Sequence, residues 1–110
     1  MTILKNENRW DKSNVVYRDG ELLLYDKHAS DPAALGMTYI DYGLSVLTRE
    51  TIMERLPAGT VIDLAQLLHA LSVEGKLRAC EVFERFYEIG SPQGLDDFAG
   101  FIASRAGSDA

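Results

Sequence analysis

The chain has 110 residues, of which 46% are hydrophobic and 25% charged, the make-up of one soluble globular domain rather than a disordered or fibrous chain. Its 11 basic groups stand against 17 acidic ones, a formal net charge of −6, which disfavours a duplex-DNA or anionic-membrane surface because neutralising phosphates needs clustered Lys and Arg. A single cysteine, Cys80, excludes an intrachain disulfide framework, and the longest apolar stretch, 64–73, is interrupted by Gln66 and His69 and is too short to span a bilayer.

Taken in chain order, Thr2–Leu4 reads as a short strand. The polar run Asn6–Asn14 reads as a linker or solvated loop, with Lys5, Arg9, Trp10 and Lys12 as a small basic and aromatic cluster on it. Val15–Tyr17 and Leu22–Tyr25 flank Asp19-Gly20, a hairpin signal because both turn positions need φ > 0. Ala29–Gly36 is a second loop. Thr38–Leu47 is rich in β-branched and aromatic residues, with Gly43 marking a bulge or a close backbone approach. The later part of that run is nearly continuous in apolar character, as expected of a central strand buried on both faces.

Thr48 is expected to cap a short helix that stops before Pro57, stapled by Leu47 and Ile52. Asp63 is expected to cap a second helix, with Gln66 at its third position and Ile62 and Leu67 as the staple. Leu64, Leu67, Leu68 and Leu71 have the spacing of its buried face, and Gly75 ends it. Leu77–Val82, containing a buried Cys80, and Arg85–Ile89 read as strands. Ser91-Pro92 starts a last helix whose inward stripe is Leu95, Phe98 and Ile102, followed by a flexible tail, 106–110. The whole is an α/β domain, residues 1–105, with a mixed sheet, a hairpin and about three helices.

Three segments carry candidate chemistry. Asp26-Lys27-His28 follows the hairpin, and its acid–lysine pair is either an exposed surface pair or an ammonium poised over a phosphate or carboxylate. Asp41 lies within an apolar strand, where a carboxylate is costly unless paired or hydrogen-bonded; it either meets a ligand or bonds local backbone groups. Glu88-Ile89-Gly90-Ser91-Pro92 sets a carboxylate ahead of a helix start, either as an anion or Mg²⁺ geometry or as a plain turn with Glu88 facing solvent. His28 and His69 lack metal-ligand spacing, and His69 is expected to be a satisfied packing residue. No Ser-His-Asp elbow, Cys-x-x-Cys pair or Walker loop is present.

In order, the three segments resemble the C-terminal half of bacterial sugar-1-phosphate nucleotidyltransferases. In that family a hairpin leads to Glu-Lys-Pro, then an Asn-x-Gly strand, and later an Asp-x-Gly-Thr/Ser-Pro joint. The counterparts are Asp26-Lys27-His28, Asp41-Tyr42-Gly43 and Glu88-Ile89-Gly90-Ser91-Pro92, and the likeness spans about residues 1–102. It implies a partial nucleotide-diphospho-sugar transferase-like fold, with Lys27 near a sugar phosphate, Asp41 and Gly43 at the sugar, and Glu88 in the place of a metal-binding aspartate, so that Mg²⁺ becomes the candidate cofactor. His28 for Pro, Asp41 for Asn and Glu88 for Asp are departures. The family's Gly-rich nucleotide loop has no counterpart here. The resemblance therefore implies a truncated or fragmentary half-domain that binds a sugar phosphate or nucleotide sugar without catalysing alone.

A half-domain leaves Thr38–Leu47 uncovered, so a homodimer, or a partner chain supplying the missing half, is expected. The alternative is a non-enzymatic interaction module that uses the exposed sheet. No nucleic acid or membrane partner is expected. The first residues lack a basic segment followed by an apolar one, so no signal peptide is read and the cytoplasm is the expected compartment.

Overall fold

The computed structural model describes residues 1–108, a mixed α/β arrangement of five strands and three helices. In chain order these are β1 (Thr2–Lys5), β2 (Val15–Arg18), β3 (Glu21–Tyr25), β4 (Tyr39–Asp41), α1 (Arg49–Arg55), α2 (Leu64–Val73), β5 (Cys80–Val82) and α3 (Pro92–Ser108). The sheet order is β3-β2-β4-β1-β5; β5 runs parallel to β1 and the other pairs are antiparallel.

Local signals set the best-formed joints. Asp19 (φ 53°) and Gly20 (φ 80°) make the expected two-residue turn, closing a hairpin in which Arg18 faces Glu21 and a bulge lies beside Val16 and Tyr17. Thr48 Oγ1 accepts from Thr51 N at 3.2 Å, and Asp63 Oδ1 accepts from Ala65 N at 3.0 Å. The end of α2 is a Schellman turn, with Lys76 N bonded to Leu71 O at 2.8 Å, Gly75 N to Ser72 O at 3.1 Å, and Gly75 at φ 71°.

The core joins one face of the sheet to α2. Ile3, Val15, Leu22, Tyr25, Ala65, Leu67, Leu68, Leu71 and Leu77 are buried together. Leu64, expected on that face, points out at 54% exposure, and Ser72 takes a buried place instead. That exchange has a structural use. Strand β3 is a sheet edge, and α2 bonds its free backbone: Tyr25 N donates to Ser72 Oγ at 3.0 Å, and Tyr25 O accepts from His69 Nδ1 at 2.7 Å. A carbonyl can only accept, so Nδ1 carries the proton. His69 is the satisfied packing residue expected of it.

The strand expectations fail where a partner strand runs out. Strand β4 stops at Asp41, which pairs with Ile3; beyond it Tyr42 N donates to Thr2 O and Thr2 N donates to Leu44 O, and β1 begins at Thr2 and offers no further residue. Gly43 then turns at φ 86°, and Leu44 and Val46 are 63% and 89% exposed. The segment 44–47 is therefore not a central strand buried on both faces; only Leu47 reaches the core. Strand β5 covers only Cys80–Val82, and Arg85–Ile89 forms no strand, since β1 ends at Lys5 and turns away through Glu7 and Asn8 at positive φ. Cys80 lies on this edge strand and is exposed, not buried.

Of the inward stripe expected for α3, Phe98 lies inward and the other two residues do not. Leu95 and Ile102 are 54% and 49% exposed. Gly94, Asp97, Phe98 and Phe101 form the inner line instead. Tyr87 stacks on Phe101 at 4.7 Å between ring centroids and lies 5.8 Å from Phe98. The helix continues through Ser108, into the segment expected as a flexible tail; residues 109–110 of that tail lie outside the described residues.

The chain is extended, measuring 51 × 34 × 25 Å, with a radius of gyration of 16.2 Å, where a compact domain of this length has about 13 Å. Among the described residues no helix is long and apolar enough to cross a membrane.

Candidate functional site

The polar run Asn6–Asn14 is not a solvated linker. Asn6 and Ser13 are 0% and 1% exposed. Ser13 Oγ donates to Asn6 Oδ1 at 2.6 Å, Asn6 Nδ2 donates to Asp11 O at 2.9 Å, and Ser13 N donates to Asn8 Oδ1 at 2.8 Å. This knot fixes Asp11, Lys12, Ser13 and Asn14 against the sheet. Asn14 then ties three strand ends together. Its N–H donates to Tyr39 O, its C=O accepts from Asp26 N, and its side-chain oxygen accepts from Asp41 N, all at 2.9 Å.

The start of β2 thus lies between the ends of β3 and β4, and a cleft of about 440 Å³ opens there. Its walls are Asp11–Asn14, Tyr25–Lys27, Ala29, Pro32, Ile40, Asp41 and Phe86. Two of the expected site residues, Lys27 and Asp41, line it together. Lys27 Nζ is 3.9 Å from Asp63 Oδ2 with both side chains about half exposed, a pair too weak to hold the ammonium against a ligand. Asp41 Oδ1 accepts from Gly43 N at 2.9 Å, and Asp26 Oδ1 accepts from His28 N at 2.9 Å. Each carboxylate spends one oxygen on its own turn, and neither Oδ2 is hydrogen-bonded among the described residues. Gly43 stands outside the walls and supplies the turn.

Glu88 lies next door, in a hollow of about 90 Å³ that shares Asp11 and Phe86 with the cleft. Its carboxylate folds back on its own turn, accepting from Gly90 N, and from Ser91 Oγ at 3.3 Å. Mg²⁺ requires near-octahedral oxygen coordination. Among the described residues no three His, Cys, Asp or Glu side chains converge on a metal position, and Glu88 offers a single carboxylate already engaged.

Arg85 joins that hollow to the rest. Its guanidinium lies 4.8 Å from the Trp10 ring centre and 4.4 Å from that of Tyr87, and Nη2 donates to Asp97 Oδ2 at 2.7 Å. The loop bearing Trp10 and the helix bearing Asp97 are thereby clasped by one side chain. Arg85 foremost, then the Gln93 amide, holds the Asp97 carboxyl below its usual range. In the unfolded chain that carboxyl returns to its ordinary value. The clasp therefore stabilises the fold above the ordinary carboxylate pKa, and its contribution is lost as pH falls through the depressed folded value. Trp10 is the single tryptophan, so its fluorescence should change on acidification below the usual carboxylate range, and Arg85→Ala should show the low-pH emission at neutral pH. An unchanged spectrum in Arg85→Ala would refute the clasp.

Sequence reasoning missed Asn14, Tyr25, Asp11 and Phe86 as cleft walls. An asparagine placed immediately before a strand was the one local sign available; the others depend on how a buried loop folds. No protein family matches the chain, and no curated protein or solved structure is measurably similar to it.

Proposed function

We propose that this chain is a half-domain like that of sugar-1-phosphate nucleotidyltransferases, which holds a sugar phosphate in the Lys27–Asp41 cleft and does not transfer a nucleotide alone. One observation carries the reading. Two residues singled out by the resemblance, from separate strand ends, wall one cleft with complementary chemistry. The Lys27 ammonium suits a phosphate, and the spare oxygens of Asp26 and Asp41 accept hydrogen bonds from sugar hydroxyls. Nucleotide transfer depends on positioning and neutralising phosphates, and the chain lacks a Gly-rich loop for that work. Glu88, in the adjoining hollow, would need phosphate oxygens and water to complete any shell around Mg²⁺.

The test is thermal unfolding with hexose 1-phosphates, with and without Mg²⁺. A ligand at ten times its Kd adds about 1.4 kcal/mol to native-state stability, a rise of about 6 °C for a domain of this size. Lys27→Ala should fold normally and lose the rise. No rise with any hexose 1-phosphate, with or without Mg²⁺, would reject the reading.

A second reading, an interaction module, is favoured by surface area. The chain exposes 7712 Å², whereas a compact monomer of this mass exposes about 6,100 Å². Leu44, Val46 and Phe83 are 63%, 89% and 84% exposed. This reading expects a homodimer, or association with a chain that covers these residues, and light scattering on the same samples separates it from a monomer.

A further inference from the structure

Tyr25 ends β3 and is 3% exposed, with its ring in the core shared by the sheet and α2. Its backbone is held through Ser72 Oγ and His69 Nδ1, so the side chain projects from a fixed point. A buried tyrosine hydroxyl ordinarily finds a partner. Among the described residues no hydrogen bond engages this one. Arg85 Nε is the sole sealed side-chain polar atom without a partner among them; Tyr25 walls the cleft together with Asp26 and Asp41, and both of those carboxylates act on its phenol.

The electrostatics decide what it offers. Burial foremost, then the carboxylates of Asp41, Asp63 and Asp26, push the phenol up to about 12. It is protonated at any physiological pH and so keeps a proton to donate to a group bound beside it. The carboxylates beside it only accept. A matching ligand group must accept from Tyr25 and donate to Asp26 and Asp41 at once. Hydroxyls do both. A second phosphate or a carboxylate would face repulsion from the aspartates and cannot donate, which leaves the anionic end of a ligand to Lys27.

We propose that the Tyr25 hydroxyl is the specificity-determining donor of this cleft, reading one ring hydroxyl of a hexose 1-phosphate whose other hydroxyls donate to Asp26 and Asp41. The inference rests on the sugar-phosphate reading above and adds to it the group that distinguishes one sugar from its epimers.

The experiment is calorimetric titration of the wild type and Tyr25→Phe with glucose 1-phosphate, galactose 1-phosphate, mannose 1-phosphate and inorganic phosphate. Phenylalanine keeps the packed ring, so the fold and melting temperature should hold. The preferred hexose 1-phosphate should bind about five- to tenfold more weakly, the worth of one net hydrogen bond, while inorganic phosphate binds as before. The preference among epimers should narrow by the same factor. Deoxy analogues give a reading that needs no variant. One of them should lose that factor on the wild type and lose nothing further on Tyr25→Phe. Equal affinity and unchanged epimer preference in Tyr25→Phe, with binding still abolished in Lys27→Ala, would overturn the role of Tyr25 and leave the site standing. Wild-type binding of every hexose 1-phosphate no tighter than inorganic phosphate would overturn the site itself, and this role with it.

Discussion

Asn6→Ala should cost about 3 kcal/mol of stability and take the cleft walled by Lys27 and Asp41 with it. Asn6 is fully buried and its side chain works in both directions, donating to Asp11 O at 2.9 Å and accepting from Ser13 Oγ at 2.6 Å. Truncation leaves the hydroxyl of Ser13, itself 1% exposed, without its acceptor and the Asp11 carbonyl without its donor. Each buried group so orphaned costs about 1–3 kcal/mol, against a total stability of about 5–15 kcal/mol for a domain. The loop then has no reason to keep its positive-φ turn at Glu7 and Asn8. Asp11–Asn14, which wall the cleft, move with it. Asn6→Asp is the sharper variant. It keeps the acceptor for Ser13 and replaces the donor with an oxygen facing the Asp11 carbonyl, while burying a charge. Urea unfolding of both should show midpoints well below wild type, with Asn6→Asp recovering some stability as pH is lowered and the carboxyl protonates. A midpoint within about 0.5 kcal/mol of wild type, the range of an ordinary surface change, would show that the knot does not hold the loop.

What could be read in advance, and what could not, divides along the range of the interactions. Asp19-Gly20, Thr48, Asp63, Gly75 and Ser91-Pro92 act within a few residues of themselves, and the turns and caps they signal are present. Strand length is different, because a strand lasts only as long as its neighbour. Thr38–Leu47 has the composition of a long buried strand, yet β1 offers it four residues of partner, so three residues pair and Val46 meets solvent. Arg85–Ile89 has strand composition too, but its aromatics are claimed elsewhere. Phe86 packs edge-on to Tyr42 at 5.4 Å, and Tyr87 goes to α3. The inner line of α3 was hidden because it runs through Gly94 and Asp97, which no hydrophobic pattern selects; their reasons are a carbonyl and a guanidinium on other segments. In the cleft, Lys27 and Asp41 were visible as charged residues at strand ends. Tyr25 read as the end of a strand; that it also joins the core and walls the cleft depends on how the ends of β2, β3 and β4 meet.

Two glycines in one helix should respond to alanine in opposite directions. Helix propensity alone favours alanine over glycine by about 0.8–1.0 kcal/mol per interior site. At Gly100 nothing lies within 4 Å of an added Cβ, so Gly100→Ala should stabilise α3 by about that amount. At Gly94 the same methyl would overlap the Glu88 carbonyl oxygen, with the Glu88 carbonyl carbon and Ser91 Oγ each at 3.0 Å. Backbone cannot swing aside as a side-chain tip does. Ser91 Oγ is also the group that accepts from Gly94 N at 3.0 Å to cap the helix, so relieving the overlap breaks the cap, worth about 1 kcal/mol. It also shifts the Glu88–Pro92 turn that seats α3 on Tyr87. Overpacking of this kind costs about 1–3 kcal/mol. With the cap included and the gain in propensity subtracted, Gly94→Ala should destabilise the seating of α3 by about 1–3 kcal/mol. Helix content by circular dichroism and amide exchange of residues 95–101 would read both variants. Stabilisation by both would mean that Gly94 is not pressed against the Glu88 turn and that α3 is seated by Arg85 and the aromatic cluster alone. Opposite signs would show that the close approach of two backbones at Gly94 positions the helix, and with it the hollow that adjoins the cleft.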